Sequence, residues 1–201
     1  MGALACLLFV ANGAHAATTV DVQLPDVALI DAHGKPFNPA SLVGKVVLVD
    51  FIHTSCPSMC VMLTSKLARL AKKLGPEMGS KVAILSVSND PSNDKPADLL
   101  AMARQHGADK SGWVFATGSP DNVSRVLKAF GLSLKRETDG EAEHIMKVFV
   151  VAPDGREAVS FWGPVVSDRK LLAEVKRMAA RAKALPEPKA TRDAEEHASR
   201  D

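Results

Sequence analysis

Two cysteines with three residues between them are the part of this sequence best suited to chemistry. Cys56 and Cys60 follow an apolar, β-branched run that begins at Val46, which is typical of a buried strand. Pro57 suits the first position of a helix, and apolar residues then recur at helical spacing as far as Gly75. The pattern predicts that both thiols lie on one helix face near its N-terminus, where backbone dipoles lower the pKa of a thiol.

The spacing of the pair bears on what the thiols do. Redox dithiols of the thioredoxin kind have two intervening residues rather than three. Helix positions four apart put the Cβ atoms about 5–6 Å from each other, whereas a disulfide needs about 3.5–4.5 Å. A reduced pair that binds a metal is therefore less strained than a disulfide. A plain structural disulfide is the alternative, although so short a loop contributes little entropy.

Composition and the two chain ends limit the other possibilities. The chain has 201 residues and a net charge of +2, and it lacks the basic and aromatic clusters of a nucleic-acid-binding protein. Residues 1–16 resemble a secretory signal peptide with a small-residue cleavage site, and an uncleaved membrane anchor is the alternative. We expect one domain over residues 17–185 and a disordered charged tail over residues 186–201.

The order of strand and helix patterns predicts the fold class. Three strand–helix units are followed by a β-hairpin, with its turn at residues 153–155, and by a last helix. This order predicts an α/β protein in which helices flank a central mixed sheet, the thioredoxin-like layout.

Polar and sulfur-containing side chains should meet at one edge of that sheet. The carboxyl ends of parallel strands share an edge, where binding sites of α/β proteins lie. The dithiol follows the first central strand, the loop 89–94 follows the second, and His144 precedes the antiparallel strand of the hairpin. Topology thus gathers Cys56, Cys60, Asp90, Asp94 and His144.

The gathered donors suit a soft metal ion. Two thiolates and one imidazole select Cu(I) or zinc, and a set of three suits Cu(I) better because structural zinc normally takes four ligands. The thioether sulfurs of Met59, Met62 and Met146 are further candidate ligands, although core packing is the commoner role of methionine.

The sequence resembles the Sco/SenC family of copper chaperones for cytochrome c oxidase assembly. The resemblance covers residues 27–178 and rests on the strand into Cys56-Pro57-Ser58-Met59-Cys60, on 88–94, on 117–120, and on His144 followed nine residues later by Pro153-Asp154-Gly155. It implies a thioredoxin-like fold that binds copper, as Cu(I) and also Cu(II), through Cys56, Cys60 and His144. It also implies that Asp90 supports the site.

Three positions depart from the family pattern. Val61 stands where proline usually follows the second cysteine, His53 stands where an aromatic residue is common, and Glu143 stands where aspartate usually precedes the histidine. We expect the His53 ring to pack beside the site rather than to bind the metal.

Two functions use the same sulfur atoms. The leading hypothesis is an exported copper chaperone that binds one copper and delivers it to the copper-site subunit of a membrane cytochrome oxidase, working in the periplasm. The alternative is a periplasmic thiol–disulfide oxidoreductase, with Cys56 and Cys60 as a redox pair, that reduces the cysteines of a copper site. Other periplasmic thiol or copper carriers would be further partners. A peroxidase finds no support, because no Thr-x-x-Cys arrangement occurs in the dithiol stretch.

Overall fold

The computed structural model describes residues 17–56, 58–135 and 142–182. The predicted signal peptide, 1–16, and the predicted charged tail, 186–201, lie outside these ranges. Both therefore stay predictions.

One mixed sheet runs through the described part of the chain. Its strands are Thr18–Asp21 (β1), Leu29–Asp31 (β2), Pro36–Phe37 (β3), Val46–Ile52 (β4), Val82–Ser88 (β5), Trp113–Thr117 (β6), Lys147–Val151 (β7) and Glu157–Trp162 (β8). Their order across the sheet is β1-β8-β7-β4-β5-β6-β2-β3. Strands β4, β5 and β6 are parallel, and the other pairs are antiparallel.

Helices cover both faces of the sheet. Those in the described residues are Met59–Leu74 (α1), Pro96–Gln105 (α2), Pro120–Ala129 (α3) and Asp168–Ala182 (α4). Helices α1, α2 and α4 contribute Leu67, Leu99 and Leu171 to the core on one face. Helix α3 contributes Val123 and Leu127 to the core on the other face. The predicted α/β architecture, a central mixed sheet flanked by helices, is confirmed.

The two central parallel strands explain why the sequence patterns were clear. Every residue of β4 and of β5 is buried. Side chains alternate between the faces of a sheet, so a strand covered on both faces needs apolar residues throughout. In β4, Leu48 faces the α1 side and Val49 faces the α3 side. The parallel pairing of Ile52 with Ser88 places the carboxyl ends of β4 and β5 side by side.

The start of helix α1 differs from the sequence-based expectation. The helix begins at Met59 with Ser58 at the N-cap, so the prediction of a start at Pro57 is wrong. Its end is as predicted, because Gly75 forms the C-cap with a φ of 55°. Cys56 consequently lies in the turn before the helix, and only Cys60 lies on it.

Candidate metal centre

The turn between β4 and α1 carries both cysteines. The amide of Cys56 donates a hydrogen bond to the His53 carbonyl over 3.3 Å, which closes the turn. The amide of Cys60 donates to the Cys56 sulfur over 3.2 Å. Both side chains are buried, and both are free thiols. The Cys56 sulfur therefore accepts a hydrogen bond from an amide at the N-terminus of the helix.

Burial sets the electrostatics of the second cysteine. It raises the pKa of the Cys60 thiol, and the neighbouring Cys56 and Asp50 add to the rise. The expectation of a lowered thiol pKa is therefore wrong for Cys60, because desolvation outweighs the backbone dipoles. A cation in contact with the sulfur supplies the charge that favours the thiolate.

A buried acid lies beneath the dithiol in the centre of β4. Asp50 is fully buried, and burial raises the pKa of its carboxyl group to about 7. The hydroxyl of Ser86 donates to Asp50 Oδ1 over 2.6 Å, and Trp113 Nε1 donates to the Ser86 hydroxyl over 3.0 Å. Asp50 is not among the site residues predicted from the sequence, although a lone acid within an apolar strand run is a signal that could have found it.

Two histidines stand next to the cysteines. His53 is buried, and one ligand atom from each of His53, Cys56 and Cys60 lies within 4.8 Å of the others. The rings of His53 and His144 meet edge to face, with their centroids 4.7 Å apart. Among the described residues, the compact donor group thus contains His53 and the two cysteines. His144 is outside that group and contacts the His53 ring.

Asp94 joins the loop after β5 to the dithiol turn. Its carboxylate accepts hydrogen bonds from the Thr54 amide over 3.1 Å and from the Thr54 hydroxyl over 2.5 Å. It also accepts from the Ser88 hydroxyl over 2.5 Å. Thr54 lies two residues before Cys56, so Asp94 holds the turn that carries the first sulfur. From the sequence, Asp94 was expected at this edge of the sheet, whereas the supporting role was assigned to Asp90.

Asp90, the predicted supporting acid, lies in the same loop. It is buried, and it accepts a hydrogen bond from Asn93 Nδ2 over 2.8 Å. Asp94 accepts the hydrogen bonds from Thr54 in the dithiol turn that are described above. The role of Asp90 at the site stays a prediction.

The segment that carries His144 is held from two sides. Asn89 Nδ2 donates to the Glu143 carbonyl over 2.6 Å, and the Gly163 amide donates to the Met146 carbonyl over 2.7 Å. Lys66, on helix α1, in turn donates to the Gly163 carbonyl over 2.7 Å. The loop after β5 and the turn after β8 therefore fix the approach of His144 to the cysteines. His144 is half-buried and lines an open groove of about 300 Å³.

Comparison with known proteins agrees with this arrangement. The SCO1/SenC family model matches residues 18–180. The chain belongs to the SCO1/SenC family. The SCO1 protein homolog of Bacillus subtilis is 33% identical over 153 residues, which cover 71% of this chain and 79% of that protein.

Solved Sco structures share the fold. A SCO1/SenC family lipoprotein from Bacillus anthracis is 27% identical with a TM-score of 0.72, covering 80% of this chain and 97% of that one. BsSco, described as a Sco protein of cytochrome c oxidase assembly with a disulfide switch, is 29% identical with a TM-score of 0.70, covering 81% and 96%. ScoI of Bradyrhizobium japonicum, solved with copper bound, is 22% identical with a TM-score of 0.67, covering 78% and 99%.

The donors present in this SCO1/SenC protein suit the metal that its relatives bind. Two buried sulfurs and neighbouring imidazoles are soft and borderline donors, which favour copper. Within the described residues, no helix is both long enough and apolar enough to cross a bilayer.

Proposed function

We propose that this protein is an exported copper chaperone. It binds one copper through Cys56, Cys60 and His144 and delivers it to cytochrome c oxidase during assembly. The observation that carries the proposal is the pair of buried, reduced cysteines with two imidazole rings beside them at the carboxyl edge of the sheet.

The burial of the sulfurs favours copper retention. A Cu(I) ion bound by two thiolates is shielded from water and from oxidants by the same side chains that bury the cysteines. Its charge offsets the cost of forming a thiolate at Cys60, whose pKa burial raises. Copper thus binds to a dithiol in which the Cys60 sulfur is mostly protonated when no metal is bound.

Delivery requires that one ligand be within reach of a partner. The cysteines are buried, whereas His144 is half-buried and lines the open groove. Exchange of the imidazole for a donor of the oxidase subunit is therefore the natural first step of transfer. The soft donors of an oxidase copper site would then compete for the metal.

The site acts in an oxidising compartment under this proposal. The leader-like residues 1–16 support export, with either a cleaved signal or a retained membrane anchor. A pair of thiols kept ready for copper in such a compartment must be maintained in the reduced state.

A thiol–disulfide oxidoreductase that reduces the cysteines of a copper site is the second candidate. It is favoured by the hydrogen bond from the Cys60 amide to the Cys56 sulfur, a contact that stabilises an attacking thiolate. Copper binding and thiol exchange use the same sulfurs, so bound copper should block exchange.

His144 separates the two functions. We expect His144→Ala to weaken copper binding while thiol reactivity is largely retained, because attack on a disulfide needs no imidazole ligand. The test is oxidase assembly in cells under copper limitation. Loss of assembly with His144→Ala supports copper delivery. Assembly that survives with His144→Ala but fails with Cys56→Ser overturns delivery and favours the reductase.

A further inference from the structure

We propose that His53 is a copper ligand in this chain, so that one site holds two imidazoles and two thiolates. The proposal rests on the proposed copper function. It reverses the expectation from sequence that His53 only packs beside the site.

The backbone fixes His53 next to the sulfurs. His53 follows the last residue of β4, and its carbonyl accepts the hydrogen bond from the Cys56 amide that closes the turn. Its side chain is 1% exposed. The imidazole and the first sulfur therefore belong to one rigid turn, which Asp94 ties to the neighbouring loop through Thr54.

The separations of the donor atoms are close to those of a bound metal. Nitrogen and sulfur ligands at about 2.0–2.3 Å from one metal ion lie roughly 3.3–4.0 Å from each other. The donors of His53, Cys56 and Cys60 already lie within 4.8 Å of one another. Side-chain adjustments of about 1 Å bring the three onto one ion, by the same bond lengths.

The second ring nitrogen of His53 has the partner that a metal-bound histidine needs. Histidine ligands usually use their other ring nitrogen in a hydrogen bond that fixes the ring orientation. Nδ1 of His53 lies 2.9 Å from the Ser55 hydroxyl. That contact orients the ring and assigns Nε2 to the metal.

His144 then supplies a fourth donor. Its ring contacts the His53 ring edge to face at 4.7 Å between centroids, which places His144 next to the group formed by His53 and the two sulfurs. Cu(I) is satisfied by three donors, and Cu(II) favours four in a tetragonal arrangement. Two histidines allow copper to keep one imidazole, that of His53, while a partner displaces the other.

X-ray absorption of the Cu(I)-loaded protein tests the inference, because imidazole scattering reports directly on bound histidine. We expect His144→Ala to retain imidazole scattering, and the double variant His53→Phe/His144→Ala to show sulfur scattering alone. Phenylalanine keeps an aromatic ring at position 53 and removes only the donor. The absence of imidazole scattering from copper bound to the His144→Ala variant would overturn the inference.

Affinity supplies a second readout, measured by anaerobic competition with a Cu(I) chelator. His53→Phe should lower the affinity at least tenfold, whereas His33→Phe should leave it unchanged because His33 is exposed and pairs with Asp109. Wild-type affinity in His53→Phe would also overturn the inference. If His53→Phe does not fold by circular dichroism, the His144→Ala spectrum decides alone. Failure of the copper function itself would appear differently, as wild-type affinity in Cys56→Ser.

Discussion

At the scale of single residues, acids buried near the dithiol shape the site more than the exposed charges do. Asp94 accepts hydrogen bonds from both the turn before the cysteines and the end of β5. Asp50 lies fully buried in the central strand with its pKa raised. Neither role follows from residue type, because an acid in a loop usually forms a turn and an acid in a strand usually faces water.

Asp94→Asn should destabilise the protein by about 1–3 kcal/mol, because an amide replaces a carboxylate that accepts charge-assisted hydrogen bonds from three donors. Asp154→Asn should cost less, since the Asp154 carboxylate is exposed and accepts a hydrogen bond from the Arg156 amide. Urea unfolding of both variants checks the order. A larger loss with Asp154→Asn would contradict this structural role of Asp94.

Asp50 should make stability depend on pH. Its carboxyl group has a folded-state pKa of about 7 against an ordinary value of 3.8. The folded state therefore holds a proton that the unfolded state has released between these pH values. The resulting stabilisation is fully present below about pH 4 and is lost as pH rises to 7, by up to about 4 kcal/mol.

Asp50→Asn removes this titration and keeps the shape of the side chain. The difference in unfolding free energy between the variant and the wild type should shift in favour of the variant as pH rises from 4.5 to 8. Urea unfolding across that range measures it, and groups that titrate in both proteins cancel in the difference. A difference that stays constant with pH would contradict a raised Asp50 pKa.

At the scale of secondary structure, strong periodicity made elements predictable and local chemistry decided their ends. The apolar runs of β4 and β5 and the stripe of α1 indicated their types. The start of α1 was misplaced because Pro57 is a good first helical residue, whereas the structure uses Ser58 as the cap. Strand β1 is not among the strands predicted from the sequence, since its mostly polar residues pair with β8 at the sheet edge without apolar alternation.

Close packing of two turns at the amino end of the parallel strands offers a matched test. Gly112 and Gly107 both have positive φ, of 82° and 62°. A Cβ atom at Gly112 would collide with the backbone of Gly79, whereas one at Gly107 would meet open space. Both alanine variants bear the strain of left-handed backbone, about 1–2 kcal/mol, and only Gly112→Ala adds overpacking of about 1–3 kcal/mol.

Urea unfolding of Gly112→Ala and Gly107→Ala measures the difference. Copper affinity should be unchanged in Gly107→Ala, since that turn lies at the opposite end of the sheet from the cysteines. Equal stability losses in the two variants would show that the two turns move apart at little cost.

At the scale of the whole molecule, topology assembles the site from distant parts of the sequence. The order of strands was enough to predict that Cys56, Cys60 and His144 share one edge of the sheet. There the two sulfurs lie next to His53, whose ring contacts that of His144. The sequence predicted that the His53 ring packs beside the site, but not that a His53 donor atom lies within 4.8 Å of both sulfurs. This proximity depends on the tight turn at Cys56, and the turn depends on the position of the helix cap.

The two sides of the site have different surroundings in the whole molecule. The dithiol lies on the buried side, between the sheet and α1, and His144 lies on the side of the open groove. Three connections between strands and helices hold the two sides together through Thr54, Asn89 and Gly163. A copper ion would therefore be held from below by sulfur and approached by a partner from the groove.

Anaerobic titration with Cu(I) against a strong competing chelator tests the central claim most directly. The wild-type protein should bind one copper per chain, and Cys56→Ser and Cys60→Ser should each abolish tight binding because both thiolates are required. His144→Ala should weaken binding without abolishing it. Wild-type affinity in either serine variant, or no copper bound by the reduced wild-type protein, would contradict the account.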